Sequence, residues 1–307
     1  MKTLHLEGLI AAASTPFGAN GGLNLQVVPR YTERLLTEGV AGIYVCGTTG
    51  EGLSLTNPER REVAEAYVAA AAGRIPVVVH VGHSSVEEAA LLAAHANAAG
   101  ADAIAAILPP HCPISSVATI VECLARIASG APDLPFYYYH FPGYRGFDFD
   151  MVDFLKRAME RIPNFTGMKF TSPKVFEYQA CLAATGDRLN ILWGCDEMLL
   201  SALVVGARGA VGSTYGIAAP IYRQLWAAFL QGDLETARRC QQQSIDLVRT
   251  LYRYPYFPAL KELLRLQGYD FGTCRLPQSV MTEEQRTCLR RNLTELSFLS
   301  LSGTRSV

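Results

Sequence analysis

Eight short apolar segments recur between residues 9 and 214 of the chain. Near-continuous apolar segments of this length are typical of strands that are buried on both faces, as in a parallel sheet. The predicted strands are LIAAAST (9–15), GIYVCG (42–47), PVVVHVG (76–82), AIAAILP (103–109), PFYYYHFP (135–142), FTGMKFTS (165–172), LNILWGCD (189–196) and GAVGST (209–214).

Helical patterns separate these strands. The segments 57–72 and 85–100 are alanine-rich and amphipathic, and the second begins with Ser85 and Glu88 at the spacing of a capping box. Eight strands that alternate with helices predict an α/β fold, a (β/α)8 TIM barrel. A doubly wound sheet is the alternative, but the number and spacing of the units favour closure.

The chain after residue 220 shows helical patterns only. Two helices broken near Gly232 and Asp233 are predicted first, and further helices are predicted at 257–267 and 282–295. We therefore expect a barrel at 1–220 and a C-terminal helical extension at 221–307 that packs on the barrel within a single folding unit.

Composition narrows the class of protein. The chain has 307 residues, a formal net charge of −1 and 50% apolar residues, so it can bury a large core and has no evident affinity for nucleic acid or a membrane surface. Glu7 interrupts the N-terminal apolar run, which argues against a signal peptide. Eight cysteines without a CxxC pair indicate reduced thiols and a cytoplasmic location.

Lys169 lies inside the apolar strand segment GMKFTS. A buried lysine is rare unless it is paired or functional, and the simplest interpretation is a lysine that snorkels or pairs with a carboxylate. In an apolar barrel, however, desolvation favours the neutral amine, which can attack a ketone and form a Schiff base.

The loop GTTGEG (47–52) follows the second predicted strand. It matches neither nucleotide-binding glycine motif. Its exposed backbone N–H groups and the hydroxyls of Thr48 and Thr49 suit a small carboxylate. A plain turn with a threonine helix cap is an equally good interpretation of this loop alone.

Three tyrosines stand together in FYYYHFP. Because side chains alternate along a strand, Tyr137 and Tyr139 share one face and Tyr138 takes the other. Aromatic packing explains most single tyrosines. Tyr139, at the carboxyl end of its strand and level with Lys169, is the better candidate for proton transfer.

Polar residues also follow the last two predicted strands, where a barrel enzyme places its active site. These are Asp196 and Glu197 after the seventh strand and Ser213 after the eighth. An amine, a phenol, a carboxylate-binding loop and a distal acidic pair together describe a Schiff-base aldolase.

The motifs GTTGEG, FYYYHFP, GMKFTS, GCDE and GAVGSTYG, in this order, resemble those of the pyruvate-dependent class I aldolases, the family that contains N-acetylneuraminate lyase and dihydrodipicolinate synthase. FYYYH and GCDE are more similar to the animal-type lyases. The resemblance implies reversible cleavage of N-acetylneuraminate to N-acetylmannosamine and pyruvate, by a homotetramer without metal or organic cofactor.

The resemblance also assigns roles to residues. It implies that Lys169 forms the Schiff base, that Tyr139 is the catalytic tyrosine, and that Thr48 and Thr49 hold the pyruvate carboxylate. The residues that it places along the sugar chain are Thr171, Gly194, Asp196, Glu197 and Ser213.

Two positions depart from the family pattern. Tyr144 stands where the synthases carry an arginine and the lyases an aliphatic residue, and Arg145 falls one residue later. His111 replaces a tyrosine that in many members reaches a neighbouring subunit. Both departures argue against a synthase.

Other functions stay open. The alternatives are dihydrodipicolinate synthase or another aldolase for 2-keto-3-deoxy acids, and a silent barrel that binds a keto acid. A metal-dependent aldolase is the weakest, because His80 and His83 have HxxH spacing but no nearby carboxylates complete a ligand set. We expect His80 and His95 to be packed or surface residues.

Overall fold

Eight parallel strands form a closed barrel in the computed structural model, which describes residues 4–109, 116–142, 149–296 and 298. Each strand pairs with its neighbours in sequence, and β1 closes the barrel against β8. This confirms the predicted TIM barrel. The strands are β1 (Gly8–Ala12), β2 (Gly42–Val45), β3 (Val77–His80), β4 (Ala103–Ala106), β5 (Phe136–His140), β6 (Phe165–Phe170), β7 (Asn190–Trp193) and β8 (Gly209–Gly212).

Alternation along the strands sorts the side chains into two layers. Tyr137 belongs to a small cluster inside the barrel, whereas Tyr138 packs in the larger cluster between the strands and the helices. The hydroxyl of Tyr137 donates to the side chain of Asn190 at 2.9 Å, across the barrel floor. The predicted assignment of these tyrosines to opposite faces is confirmed.

Helices surround the barrel and continue beyond it. They are α1 (Val28–Thr37), α2 (Asn57–Ala71), α3 (Val86–Ala98), α4 (Val117–Ala128), α5 (Met151–Arg161), α6 (Val175–Thr185), α7 (Leu199–Val204), α8 (Tyr215–Leu230), α9 (Leu234–Leu251), α10 (Tyr256–Leu266) and α11 (Glu283–Glu295).

The capping box predicted at the start of α3 is only half formed. The Ser85 side chain accepts the N–H of Glu88, but the Glu88 carboxylate instead accepts from the side chain of Asn57 at 2.6 Å. A complete capping box stands one helix earlier, between Thr56 and Glu59 at the start of α2.

The helical extension has the predicted elements. Helices α8 and α9 are separated at Gly232, whose φ of +76° lies in the left-handed region that favours glycine. Helix α8 runs across residue 220, so the boundary at that residue stays a prediction. Along the described part of the chain, we find no helix with the length and apolar character needed to span a membrane.

Candidate active site

All nine candidate residues line one cavity of about 540 Å³. They come from the carboxyl ends of strands β2, β5, β6, β7 and β8 or from the loops that follow, as in other barrels of this class. The cavity also receives the side chain of Tyr252, the residue after helix α9, and side chains from helix α10. The nine residues are Thr48, Thr49, Tyr139, Lys169, Thr171, Gly194, Asp196, Glu197 and Ser213.

Lys169 lies beside Tyr139. The register of β5 and β6 places the two residues opposite each other, and Lys169 Nζ is 4.4 Å from the centre of the Tyr139 ring. A second ring, that of Tyr44 on β2, lies 5.1 Å from the same nitrogen. Lys169 is 7% exposed, and within the described residues it forms no ion pair with a carboxylate. Pairing therefore does not account for this buried lysine.

His80 is a packed residue, as expected. Its Nε2 accepts the N–H of Ile107 at 3.1 Å, and burial lowers the pKa of His80 well below its usual value. The imidazole is therefore neutral at ordinary pH. His95 lies at the surface, where its Nε2 is 2.8 Å from a carboxylate oxygen of Glu65. In the described parts of the chain, no three His, Cys, Asp or Glu side chains gather as metal ligands would.

The loop that carries Thr48 and Thr49 is folded tightly upon itself. Cys46 and Glu51 have left-handed φ values of +58° and +54°. A Cβ on Gly52 would stand 1.8 Å from the Cys46 carbonyl oxygen, so only glycine fits there. This compact loop holds the two threonines at the cavity wall.

Thr171 and Gly194, the residues that directly follow β6 and β7, are in contact. A Cβ at Gly194 would stand 2.1 Å from Thr171 Oγ1, so glycine leaves the space that the hydroxyl occupies. Thr171 Oγ1 is buried and has no hydrogen-bond partner in the described residues. An unsatisfied hydroxyl at the wall of a cavity is available to a ligand.

The Asp196 carboxylate is held by two hydrogen bonds from Thr214. Its Oδ2 accepts the backbone N–H of Thr214 at 2.7 Å and the Thr214 hydroxyl at 2.5 Å. Burial raises the pKa of Asp196 to about 6, although the two Thr214 donors act in the opposite direction. The carboxyl is therefore ionised at neutral pH but titrates within a mildly acidic range.

A chain of hydroxyl groups extends from Asp196 into the helical extension. Thr214 Oγ1 is 2.5 Å from Tyr222 Oη on α8, which is 2.9 Å from Ser244 Oγ on α9. Ser244 Oγ in turn donates to the backbone carbonyl of Asp196 at 3.2 Å. The orientation of Asp196 thus depends on contacts outside the barrel strands.

Two tyrosines of the extension complete the rim. Ser213 Oγ is 2.8 Å from Tyr256 Oη on α10, and the Tyr256 ring stacks on that of Tyr252 with centroids 4.8 Å apart. Glu197, the residue after Asp196, stands on a short 3₁₀ turn after β7 and lines the same cavity. The rim therefore combines a carboxylate, a hydroxyl and an aromatic surface.

Sequence reasoning missed Tyr44, Tyr252 and Tyr256. Tyr44 carries the parity of an inward-facing strand residue, and that signal could have identified it. The other two stand on the helical extension, where the rule that active sites follow barrel strands gives no signal. His111, Tyr144 and Arg145, where the family pattern is departed from, lie outside the described residues.

Comparison with known proteins agrees with this geometry. The model of the Dihydrodipicolinate synthetase family matches residues 5–296. The chain belongs to this family. One family relative, N-acetylneuraminate lyase of Mus musculus, is 40% identical over 302 residues, covering 96% of this chain and 94% of that protein. The resemblance inferred from the sequence motifs is confirmed.

Two further relatives span the chain equally well. N-acetylneuraminate lyase of Xenopus tropicalis is 36% identical over 300 residues, which cover 96% of this chain and 98% of that protein. The solved structure of Proteus mirabilis N-acetylneuraminate lyase has a TM-score of 0.93 at 39% identity, and the match covers 96% of this chain and all of that one.

The raised pKa of Asp196 predicts a pH-dependent contribution to stability. Between the usual aspartate pKa of 3.8 and the folded value of about 6, the folded protein binds more protons than the unfolded chain. Stability from this group therefore falls as the pH rises through that range. Relative to Asp196→Asn, the free energy of unfolding of the wild type should fall by about 2 kcal/mol between about pH 4.5 and about pH 7.

Urea denaturation of both proteins across this range measures the effect. The Asn variant is the reference because it keeps the shape of the side chain and does not titrate. If the difference in free energy of unfolding between wild type and variant stays constant over this pH range, Asp196 has an ordinary pKa.

Proposed function

We propose that the protein is a Schiff-base aldolase that cleaves N-acetylneuraminate reversibly into N-acetylmannosamine and pyruvate. The observation that carries the proposal is the pairing of Lys169 and Tyr139 on adjacent strands, at the base of a cavity whose rim holds Asp196, Glu197 and Ser213. Family membership and the lyase relatives support the same conclusion.

The reaction begins with the Lys169 amine. In the neutral form it attacks the C2 ketone of the open-chain sugar acid, and loss of water leaves an imine. Protonated, this imine withdraws the electron pair that is released when the C3–C4 bond breaks. Because the imine itself is the electron sink, the proposed mechanism includes no metal and no organic cofactor.

Tyr139 is the proposed proton carrier. Its phenol gives its own proton to the substrate carboxylate and takes the proton of the C4 hydroxyl, whose oxygen becomes the aldehyde oxygen of N-acetylmannosamine. The electron pair of the broken bond forms an enamine, which is then protonated at C3. Water hydrolyses the resulting imine, releases pyruvate and returns the Lys169 amine.

The two ends of the cavity suit the two ends of the substrate. Thr48 and Thr49 offer hydroxyl groups to the carboxylate beside the ketone. Glu197 has no hydrogen-bond or ion-pair partner in the described residues, so its carboxylate is free to accept from sugar hydroxyls. Ser213 and Thr171 add further hydroxyls along the wall.

This rim favours a polyol over an acidic aldehyde. Asp196 and Glu197 would repel the carboxylate of aspartate semialdehyde, the short partner that a synthase condenses with pyruvate. We therefore assign the sugar-acid reaction and not the synthase reaction. We also propose a cytoplasmic location and a homotetrameric assembly, in line with the family resemblance.

Replacement of Tyr139 by Phe should lower turnover of N-acetylneuraminate by about 10²–10⁴-fold, the usual range for general acid–base catalysis. The loss should appear mainly in kcat, because the proton is shared in the transition state. Steady-state kinetics of pyruvate release measure it. Tyr138→Phe is the matched control, since the same atom is removed from the opposite face of the strand, and its turnover should stay near normal. Near-normal turnover of Tyr139→Phe would reduce this tyrosine to a packing residue.

Glu197→Gln and Ser213→Ala should each reduce kcat/KM for N-acetylneuraminate by about 10-fold or more, because a charged or neutral hydrogen bond to the sugar chain is lost. Pyruvate alone is too short to reach the rim, so its imine formation at Lys169 should be unaffected in both variants.

A panel of aldehydes, each supplied to the wild type with pyruvate, separates the lyase from its relatives. Efficient condensation with aspartate semialdehyde, together with inertness toward N-acetylneuraminate, would contradict the assignment.

A further inference from the structure

A buried ion pair lies behind the carboxylate-binding loop and has no part in the mechanism above. Lys261 Nζ on α10 is 2.6 Å from Glu51 Oε1, and each side chain is 1% exposed. Glu51 belongs to the GTTGEG loop, whereas Lys261 belongs to the helical extension. Neither residue lines the active-site cavity.

The remaining polar atoms of the pair have partners. Glu51 Oε2 accepts the backbone N–H of Arg275 at 2.8 Å, and Lys261 Nζ donates to the carbonyl of Thr273 at 3.0 Å. The Lys261 ammonium also lies 4.3 Å from the centre of the Phe17 ring. The ion pair and its two backbone hydrogen bonds join the loop to two segments of the extension, which requires the loop and the extension to stand in one fixed relation.

The backbone of Glu51 shows why the loop needs this support. Its φ of +54° is in the left-handed region, which a residue with a side chain adopts only when its surroundings hold it there. In this conformation the Glu51 N–H donates to the carbonyl of Thr48 at 3.1 Å. The conformation of Glu51 and the position of Thr48 are therefore linked by a direct hydrogen bond.

We propose that the Glu51–Lys261 pair positions the carboxylate-binding loop, so that the helical extension sets the affinity of the enzyme for the carboxylate of its keto acid. Both members are positioning residues, which act through Thr48 and Thr49. The inference rests on the proposed function. The inference goes beyond the proposed function by assigning a binding role to the helical extension.

The proposal predicts an effect on binding and not on chemistry. Lys169 and Tyr139 stand on barrel strands whose register does not involve the pair. The positions of the Thr48 and Thr49 hydroxyls, by contrast, depend on the conformation of the loop. Loosening the loop should therefore weaken capture of a carboxylate while leaving the reactivity of the amine toward a ketone intact.

The test compares two ketones that differ in the carboxylate alone. Pyruvate and its methyl ester are each titrated against the enzyme in the presence of borohydride, which traps the imine at Lys169. In Glu51→Gln, the pyruvate concentration for half-maximal trapping should rise by about tenfold or more, the loss expected when a charge-assisted hydrogen bond is misplaced. The maximal trapping rate, and trapping of the ester at every concentration, should match the wild type.

Glu262→Gln is the matched control. Glu262 is the next residue of α10, its side chain is fully buried, and it is ion-paired with Arg265 and Arg286. Its replacement should lower the thermal midpoint of unfolding, as loss of a buried ion-paired charge does. It should leave the pyruvate titration unchanged. This variant separates loss of stability in the extension from loss of loop positioning.

Three outcomes decide the question. A pyruvate titration unchanged in Glu51→Gln, or pyruvate and ester titrations that shift equally, would overturn the inference while wild-type trapping upholds the proposed function. Absence of wild-type trapping by pyruvate would overturn the proposed function and the inference with it.

If Glu51→Gln fails to fold, the double variant Glu51→Gln with Lys261→Met is used, because it leaves no unpaired buried charge. The same selective loss of pyruvate affinity is expected for it.

Discussion

The register between β5 and β6 is the constraint on which the site depends. In this pairing Tyr139 lies opposite Lys169, and adjacent strands are only about 4.8 Å apart, so the backbone alone brings phenol and amine together. A barrel has no free edge at which one strand could shift independently. A slip of either strand by one residue would turn its functional side chain toward the helices, because side chains alternate along a strand.

Buried charges other than Lys169 have partners in the described residues, as Arg60 does in the carbonyls of Gly82 and His80. Glu51 and Lys261 neutralise each other, and Asp196 is held by the two donors of Thr214. Removing one partner of a buried pair typically costs about 3–5 kcal/mol, so such arrangements persist only when satisfied. Lys169 differs, since aromatic rings and the cavity surround it and its amine has neither a hydrogen bond nor an ion pair in the described residues. A reactive amine explains this exception better than packing does.

Sequence reasoning was strongest where chemistry depends on strand order. Apolar periodicity located all eight strands, and the position of polar residues after them, with the family resemblance, brought nine candidates to one cavity. It failed where distant segments meet. Nothing local in YRYPYF (252–257) indicates that Tyr256 reaches Ser213, and nothing local around Lys261 indicates that it reaches Glu51. The half-formed capping box at Ser85 has the same cause, since Glu88 finds a tertiary partner in Asn57.

Mass spectrometry of the borohydride-treated protein tests the central claim most directly. With pyruvate present, the wild type should gain the mass of one reduced pyruvate adduct per chain, and peptide mapping should place it on Lys169. Lys169→Met should gain no adduct and lose activity, whereas prior treatment with a chelator should change neither result. An adduct on a different lysine, or full activity of the Met variant, would contradict the account.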